Sequence, residues 1–212
     1  MEEFCKMNWL TTILKSWLRI SDNPTTEKKV PETAPKSAEP VSVSETKKDV
    51  SPAAGEKFKF EANPLDYLTC AQKFGERPEF YAALGSPKGH NGMDFRTWVN
   101  GDPNNWKSNV YAVMSGKILE AQEDKDYGKG NYVRIDHGQR GQTVYLHLSY
   151  IKALAGKMVA AGELIGISGN TGLKDMAPHL HFSYKKQGFD RNDGFMGCSD
   201  PDEYFIGPIT YL

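Results

Sequence analysis

The fold is decided by the stretch PHLHFSY at residues 178–184. Apolar and polar residues alternate along it, which is the pattern of a β-strand with one face against a core. Because successive side chains of a strand point to opposite faces, His179 and His181 share one face, and Leu180 and Phe182 share the other. The stretch therefore predicts a strand that buries one face and presents two neighbouring imidazoles on the other.

Further short strands are predicted on either side of this stretch. The segments are rich in β-branched or aromatic residues and are separated by Gly, Asn and Asp, without long helical periodicity. They are Val110–Val113, Gly116–Ala121, Asn131–His137, Gln142–Leu148, Glu163–Ile167 and His179–Tyr184. Short strands at this spacing predict a mainly β domain built on an antiparallel sheet.

A second histidine lies in the stretch HNGMD at residues 90–94. On an extended strand, His90 and Asp94 would lie roughly 13 Å apart, too far to share one ion. Asn91-Gly92 is a strong turn signal, however, and a turn lets both side chains reach one point. Histidine and carboxylate together are typical zinc ligands. The alternative is a plain turn in which Asp94 accepts backbone hydrogen bonds.

A third histidine motif is TVYLHLS at residues 143–149. Alternation predicts that Tyr145 and His147 share one face, with Val144, Leu146 and Leu148 on the core side. His147 is then a cleft residue or a solvated histidine on a strand. His137, at a predicted strand end, is expected to be structural or exposed.

These motifs, with GNYVRIDHG at residues 130–138 and AGELIGISGNTG at residues 161–172, resemble the lysostaphin/LytM-type zinc metallopeptidases, which cut peptidoglycan cross-bridges. The resemblance implies that His90, Asp94 and His181 bind one Zn²⁺ per chain. It implies that His147 and His179 are catalytic residues that do not bind the metal. The expected function is therefore a zinc metalloendopeptidase that hydrolyses peptide cross-links of bacterial peptidoglycan, with a monomeric catalytic domain.

An alternative function stays open. Relatives that have lost these residues activate other hydrolases without cutting, so a zinc-containing wall-binding module or regulator is the second hypothesis. The family often has a tyrosine shortly before the first ligand, and Tyr81 is the candidate here. The stretch at residues 166–172 either shapes the substrate groove or is a purely architectural turn.

The first 57 residues differ in composition from the rest. Residues 1–20 predict an amphipathic helix that contacts a membrane surface or a partner through residues 7–20, or that packs on its own domain. Residues 21–57 are rich in Pro, Ser, Lys and Glu and predict a disordered linker. The peptidase domain is then expected at residues 58–212, with its motif core at residues 85–186.

Composition excludes several classes of function. With 26 Lys+Arg against 27 Asp+Glu, the net charge of -1 offers no field that would attract nucleic acid. No stretch approaches the roughly 18–20 apolar residues of a membrane span. Action on the cell wall requires export, yet no clear signal peptide is present, so membrane association or release by phage or lysis is expected. Cys70 and Cys198 either form a disulfide bond or remain free thiols.

Overall fold

The structure is a computed structural model that describes residues 58–123, 128–173 and 175–212. The amphipathic helix predicted at residues 1–20 and the linker predicted at residues 21–57 lie outside the described residues. The domain boundary proposed at residue 58 therefore remains a prediction.

Within the described residues the fold is mainly β, as predicted, and two sheets make up its framework. The larger has eight strands in the order β11-β1-β2-β10-β6-β5-β4-β8, antiparallel except for the parallel β1–β11 pair, and the smaller has the order β3-β9-β7. The strands are β1 Thr69–Gln72, β2 Met93–Arg96, β3 Asn109–Tyr111, β4 Gly116–Gln122, β5 Asn131–Asp136, β6 Gln142–Leu148, β7 Tyr150–Ile151, β8 Met158–Val159, β9 Leu164–Ile167, β10 His179–Lys185 and β11 Thr210–Tyr211.

The helical part of this described region is small. A single α-helix, α1, spans Pro78–Tyr81, and short 3₁₀ turns cover Ala82–Leu84, Val99–Gly101, Gly138–Arg140 and Asp202–Tyr204. Proline occupies the first position of α1, where its fixed φ suits a helix start and no N–H is needed. No helix in the described ranges has the length and apolar character needed to cross a membrane.

All six predicted strands are present, with ends that differ by at most two residues. The strands that sequence patterns did not predict are β1, β2, β7, β8 and β11. Each of these has two to four residues. Segments this short carry too few alternations for a period of two to be recognised.

Strand β10 has one face in the core and the other on the opposite side of the large sheet, as its alternation predicts. Leu180 and Phe182 are fully buried, and Phe182 packs edge-to-face on Phe60 with ring centroids 5.7 Å apart. Phe205 and Tyr145 also contact the Phe182 ring. His179 and His181 lie on the other side, so the core holds in place the strand that carries them.

For β6, Leu148 lies in the core as predicted, but the shared face predicted for Tyr145 and His147 was wrong. Tyr145 is fully buried in the core, where its hydroxyl accepts a hydrogen bond from the Val113 amide at 2.9 Å. The reason is a β-bulge: Asn131 pairs with Leu148 and Val133 with Tyr145, so β6 has one residue more than β5 over this interval. His147 lies in the bulge with φ of 66°, which breaks the alternation between Tyr145 and His147.

Cys70 and Cys198 are both buried free thiols. Of the two alternatives, the disulfide bond is therefore wrong. Burial raises the pKa of both thiols, that of Cys70 to about 11, so neither is present as a reactive thiolate near neutral pH.

Candidate active site

The three predicted metal ligands converge at the junction of β2 and β10. Asp94 on β2 pairs in register with His181 on β10, which places their side chains side by side on the face away from the core. His90 Nε2 lies 3.2 Å from Asp94 Oδ1 and 2.9 Å from His181 Nδ1. His181 Nδ1 is 3.0 Å from the same carboxylate oxygen.

The Asn91–Gly92 turn brings His90 into this group, as the turn signal predicted. A Cβ built on Gly92 would lie 2.5 Å from the Phe182 carbonyl oxygen and 2.7 Å from His181 Nε2. The lack of a side chain at residue 92 therefore allows the turn to lie directly against β10. Sterically, glycine is required for the approach of His90 to His181.

This donor set of two nitrogens and one oxygen fits a divalent cation of intermediate softness, such as zinc. Two imidazole nitrogens and one carboxylate oxygen lie within 4.8 Å of one another, and no other such group occurs in the described part of the chain. His90 Nδ1 donates to the Lys73 carbonyl oxygen at 3.1 Å, so its Nε2 lone pair faces His181 and Asp94. An open tetrahedral zinc site uses three protein ligands of these types.

The Asp94 carboxylate is ionised in this setting. Burial acts to raise its pKa, but the close contacts of the His181 and His90 rings with the carboxylate and the nearby His179 outweigh burial, so the pKa lies well below its ordinary value. A carboxylate that remains charged is a ready cation ligand.

Ser183 contacts the far side of the His181 ring. Its hydroxyl oxygen is 2.7 Å from His181 Nε2, and the residue is buried. A hydroxyl can accept as well as donate, and when it accepts from Nε2–H the ring carries its lone pair on Nδ1. That is the tautomer in which His181 Nδ1 binds a metal.

The two predicted catalytic histidines flank this group with their Nε2 atoms free. His147 Nδ1 donates to the Thr171 carbonyl oxygen at 2.9 Å, and His179 Nδ1 donates to the Ala177 carbonyl oxygen at 2.7 Å. In the neutral form of each ring, this contact leaves the lone pair on Nε2. The ring centroids are 4.8 Å apart, and His179 Nε2 is 3.7 Å from Asp94 Oδ1.

His147 is held neutral by its surroundings. Burial lowers the pKa of His147 to about 3, and the neighbouring His179 and His181 rings add to the effect. A neutral imidazole can accept a proton, whereas an imidazolium cannot.

The glycine-rich stretch at residues 166–172 is a tight structural segment beside the cleft, and its role in shaping a substrate groove stays a prediction. A Cβ on Gly169 would lie 2.5 Å from the Ser149 amide nitrogen, so glycine lets this segment pack against the end of β6. The Thr171 hydroxyl donates to the Leu148 carbonyl oxygen at 2.8 Å, which fixes the carbonyl that holds His147. The architecture of the turn thus orients a side chain of the cleft.

Tyr81 lies in the same cleft. Its ring packs on His90 with centroids 4.8 Å apart, and its hydroxyl accepts a hydrogen bond from Gln72 Nε2 at 2.7 Å. Burial raises the pKa of Tyr81 to about 12, and Asp94 contributes in the same direction. The hydroxyl is therefore protonated and able to donate.

The cleft itself has a volume of about 360 Å³. Its lining combines the polar group described above with aliphatic, aromatic and thioether side chains. The apolar lining residues are Phe80, Leu84, Leu146, Leu173, Met176, Ala177 and Met196.

His137, expected to be structural or exposed, is structural. It is 8% exposed, with Nδ1 2.9 Å from the Ser115 carbonyl oxygen and Nε2 2.8 Å from Thr143 Oγ1. Both ring nitrogens are used to connect β4, β5 and β6, and the residue does not line the cleft.

Several residues of the site were missed by sequence reasoning. The carbonyl groups of Lys73, Thr171 and Ala177 orient imidazoles, but a backbone carbonyl leaves no signal in residue type. Ser183 had a signal, because it follows His181 by two positions on a strand and must share its face. Arg77 lies outside every motif quoted above and lines the cleft.

Comparison with known proteins is consistent with this geometry. Residues 88–193, half of the chain, match Peptidase family M23, and the chain belongs to this family. The matched range contains all five histidine and aspartate positions named above, together with β2 to β10.

Individual relatives match this chain over a shorter range than the family does. The chain is 42% identical to the peptidoglycan DD-endopeptidase ShyA of Vibrio cholerae over 93 residues, which are 44% of this chain and 19% of ShyA. It is 38% identical to lysostaphin of Staphylococcus simulans over 104 residues, 49% of this chain and 19% of lysostaphin. The matches thus span about a fifth of these relatives.

A solved structure of Staphylococcus simulans lysostaphin superposes with a TM-score of 0.51 and 28% identity. The superposition covers 69% of this chain and 52% of that structure. The mainly β framework of the described domain is therefore shared with this peptidase.

Proposed function

We propose that this protein is a zinc-dependent endopeptidase that hydrolyses peptide cross-links of bacterial peptidoglycan. The observation that carries the proposal is the convergence of His90, Asp94 and His181 beside two further imidazoles with free Nε2 atoms, in an open cleft. Membership of family M23 and the similarity to ShyA and lysostaphin support the reaction class and the polymer.

The metal ligands in this proposal are His90 Nε2, Asp94 Oδ1 and His181 Nδ1, which hold one zinc ion per chain. A zinc ion bound there would lower the pKa of a water molecule to about 7 and polarise the scissile carbonyl. Three protein ligands leave one coordination position for this chemistry, which a purely structural zinc site would fill.

His147 and His179 would share the proton transfers. Each presents an Nε2 lone pair to the cleft because a backbone carbonyl holds its Nδ1–H. One accepts the proton of the attacking water, and the other, once protonated, delivers a proton to the departing amine. The Tyr81 hydroxyl, protonated near neutral pH, would donate a hydrogen bond to the developing oxyanion.

The expected site of action is the cell wall, outside the cytoplasm, and the expected assembly is a monomer. A regulator that binds zinc and wall peptide without cutting is the alternative. The alternative has no use for two imidazoles that backbone carbonyl groups orient beside the metal ligands, so the enzyme is the better explanation of the cleft.

Digestion of purified peptidoglycan tests the proposal. The full-length protein, loaded with zinc, is expected to release cross-link cleavage products that mass spectrometry identifies by an added water at a peptide bond. Chelation should abolish release, and added zinc should restore it. A folded protein that retains one zinc ion and releases no peptide product would favour the regulator.

A further inference from the structure

The cleft has an uneven distribution of charge. Among the described residues that line it, Arg77 is the one Arg or Lys, and Asp94 is the one carboxylate. Asp94 already contacts three imidazoles, since His90, His179 and His181 all lie within 3.7 Å of its Oδ1. The positive charge of Arg77 is therefore not balanced by an acidic side chain of the cleft.

The Arg77 guanidinium makes no ion pair with a described carboxylate. It lies over the ring of Phe80, with its central carbon 5.1 Å from the ring centroid. Stacking on an aromatic face holds the guanidinium plane while its N–H groups stay available at the edge. Such an arrangement is suited to bidentate binding of a carboxylate.

The backbone of Arg77 is tied to the metal-ligand segment. The His90 amide donates to the Glu76 carbonyl oxygen at 2.8 Å, and the Gly75 amide donates to the His90 carbonyl oxygen at 2.8 Å. Arg77 itself has φ of 54°, a left-handed conformation that is uncommon outside glycine and is found at functional sites. The backbone position of Arg77 relative to His90 is therefore fixed by the fold.

We propose that Arg77 determines specificity by binding a free carboxylate of the substrate next to the scissile peptide bond. The proposal rests on the endopeptidase function proposed above. The substrate class is a D-alanyl cross-link to a diamino diacid such as diaminopimelate, in which the residue that supplies the amine carries an unreacted carboxylate. The aliphatic stem of this residue matches the apolar lining near Phe80 and Leu84.

Two other cross-links lack this carboxylate. In an amidated cross-link a neutral carboxamide replaces it, and an all-glycine bridge has neither the charge nor an aliphatic stem. Arg77 and Phe80 are exposed, so the loss of a charge pair here corresponds to about twofold to fivefold in binding. The zinc-loaded protein is thus expected to cleave the free-acid cross-link about twofold to fivefold faster, in kcat/KM, than the amidated one.

The experiment compares two muropeptide dimers that differ only in this carboxylate or carboxamide, with a pentaglycine peptide as a third substrate. Zinc-loaded full-length protein and its Arg77→Gln variant are assayed on all three. The matched control is Arg191→Gln, because Arg191 also lies over an aromatic ring, that of Phe189 at 6.0 Å, but does not line the cleft. Zinc content and thermal unfolding establish that each variant is folded and loaded.

The expected result is a ratio of kcat/KM for acid over amide of about two to five in the native and Arg191→Gln proteins, and near one in Arg77→Gln. Equal cleavage of both dimers by the native protein, or an unchanged ratio in Arg77→Gln, overturns the role of Arg77 and leaves the endopeptidase function intact. Faster cleavage of pentaglycine than of the free-acid dimer also overturns the role of Arg77 and leaves the endopeptidase function intact. Failure to cleave any of the three while zinc is bound overturns both proposals.

Discussion

The imidazoles of the cleft are oriented by two different kinds of partner. Backbone carbonyl groups fix the Nδ1–H of His90, His147 and His179, so their Nε2 lone pairs face the cleft. His181 is the exception, since it uses Nδ1 toward Asp94 and contacts a side-chain hydroxyl through Nε2. A carbonyl enforces one tautomer, whereas the hydroxyl of Ser183 permits either.

At the scale of single residues, ligands and catalytic histidines are expected to respond differently to substitution. Asp94→Ala and His181→Ala remove a donor of the three-ligand set and should lose zinc. His147→Ala and His179→Ala should retain zinc and lose about 10²–10⁴-fold in kcat, because a proton acceptor or donor is missing. Metal analysis beside single-turnover kinetics checks both. Loss of zinc from His147→Ala, or full activity of His179→Ala, would contradict these roles.

Ser183→Ala is expected to weaken zinc binding by about 10–100-fold, because it removes the hydrogen-bond partner that stabilises the Nδ1 lone pair of His181. Ser183→Thr keeps the hydroxyl and serves as the control. Competition with a chromogenic chelator measures the affinity of each variant. If the alanine and threonine variants bound zinc equally, the hydroxyl would have no role in orienting His181.

Part of this site could be predicted from the sequence, because histidine and aspartate are recognisable as possible metal ligands and catalytic residues. His90, Asp94, His147, His179 and His181 are visible in the sequence as motifs, and all five line or adjoin one cleft. The carbonyl groups that orient them were not predictable, because every residue has a carbonyl group and only the fold determines where it points.

At the scale of elements, the pairing of β2 with β10 explains how residues about ninety positions apart meet. The register places Asp94 opposite His181 and Phe95 opposite Leu180, so ligands share one face and core residues the other. The alternation of β10 predicted its own two faces. It could not predict the partner strand, since the four residues of β2 are too few for their alternation to identify a strand.

The bulge in β6 shows where alternation fails. The inserted residue and the left-handed backbone of His147 turn this side chain into the cleft while Tyr145 stays in the core. The His147 amide donates instead to the Lys129 carbonyl oxygen at 3.1 Å. Bulges near active sites re-aim side chains in this way, and no residue type marks them in the sequence.

Gly92→Ala tests the close approach of the His90 turn to β10. The added methyl group would overlap the Phe182 carbonyl and the His181 ring, so the turn must move away and the ligands separate. We expect weaker zinc binding and a loss of about 1–3 kcal/mol in the free energy of unfolding.

Gly101→Ala is the control for this substitution. A Cβ there meets open space, so it carries the conformational cost of a left-handed glycine without a clash. Native zinc affinity in Gly92→Ala, measured by titration with both variants in parallel, would contradict the steric account.

At the scale of the whole molecule, a single sheet separates core from site. The aromatic cluster around Phe60, Phe182 and Phe205 packs one face, and the histidines occupy the other. The mainly β class was predictable because six of its strands carry clear patterns. The strand order was not, because the pairing of distant strands depends on contacts that no local pattern encodes.

The buried histidine at the end of β5 gives the domain a pH-dependent stability. Burial lowers the pKa of His137 below its ordinary value of 6.5, so below that pH the unfolded chain takes up a proton that the folded chain excludes. The free energy of unfolding is therefore expected to fall as the pH drops through 6.5, by at most about 1.4 kcal/mol per pH unit for this group.

His137→Gln is expected to be less stable near pH 7.5 but to lose less stability on acidification than the native protein. Urea unfolding at pH 7.5 and 5.5 measures both slopes, and the difference isolates His137 from the other titrating groups. Parallel slopes in the two proteins would show that His137 is not excluded from protonation in the folded state.

The central claim is that one zinc ion binds between His90, Asp94 and His181. A crystal of the zinc-loaded protein, measured at the zinc absorption edge, tests it most directly. We predict a single anomalous peak per chain, about 2.0–2.2 Å from His90 Nε2, His181 Nδ1 and an Asp94 oxygen. A peak at other side chains, or none at these three in crystals that contain zinc, would contradict the account.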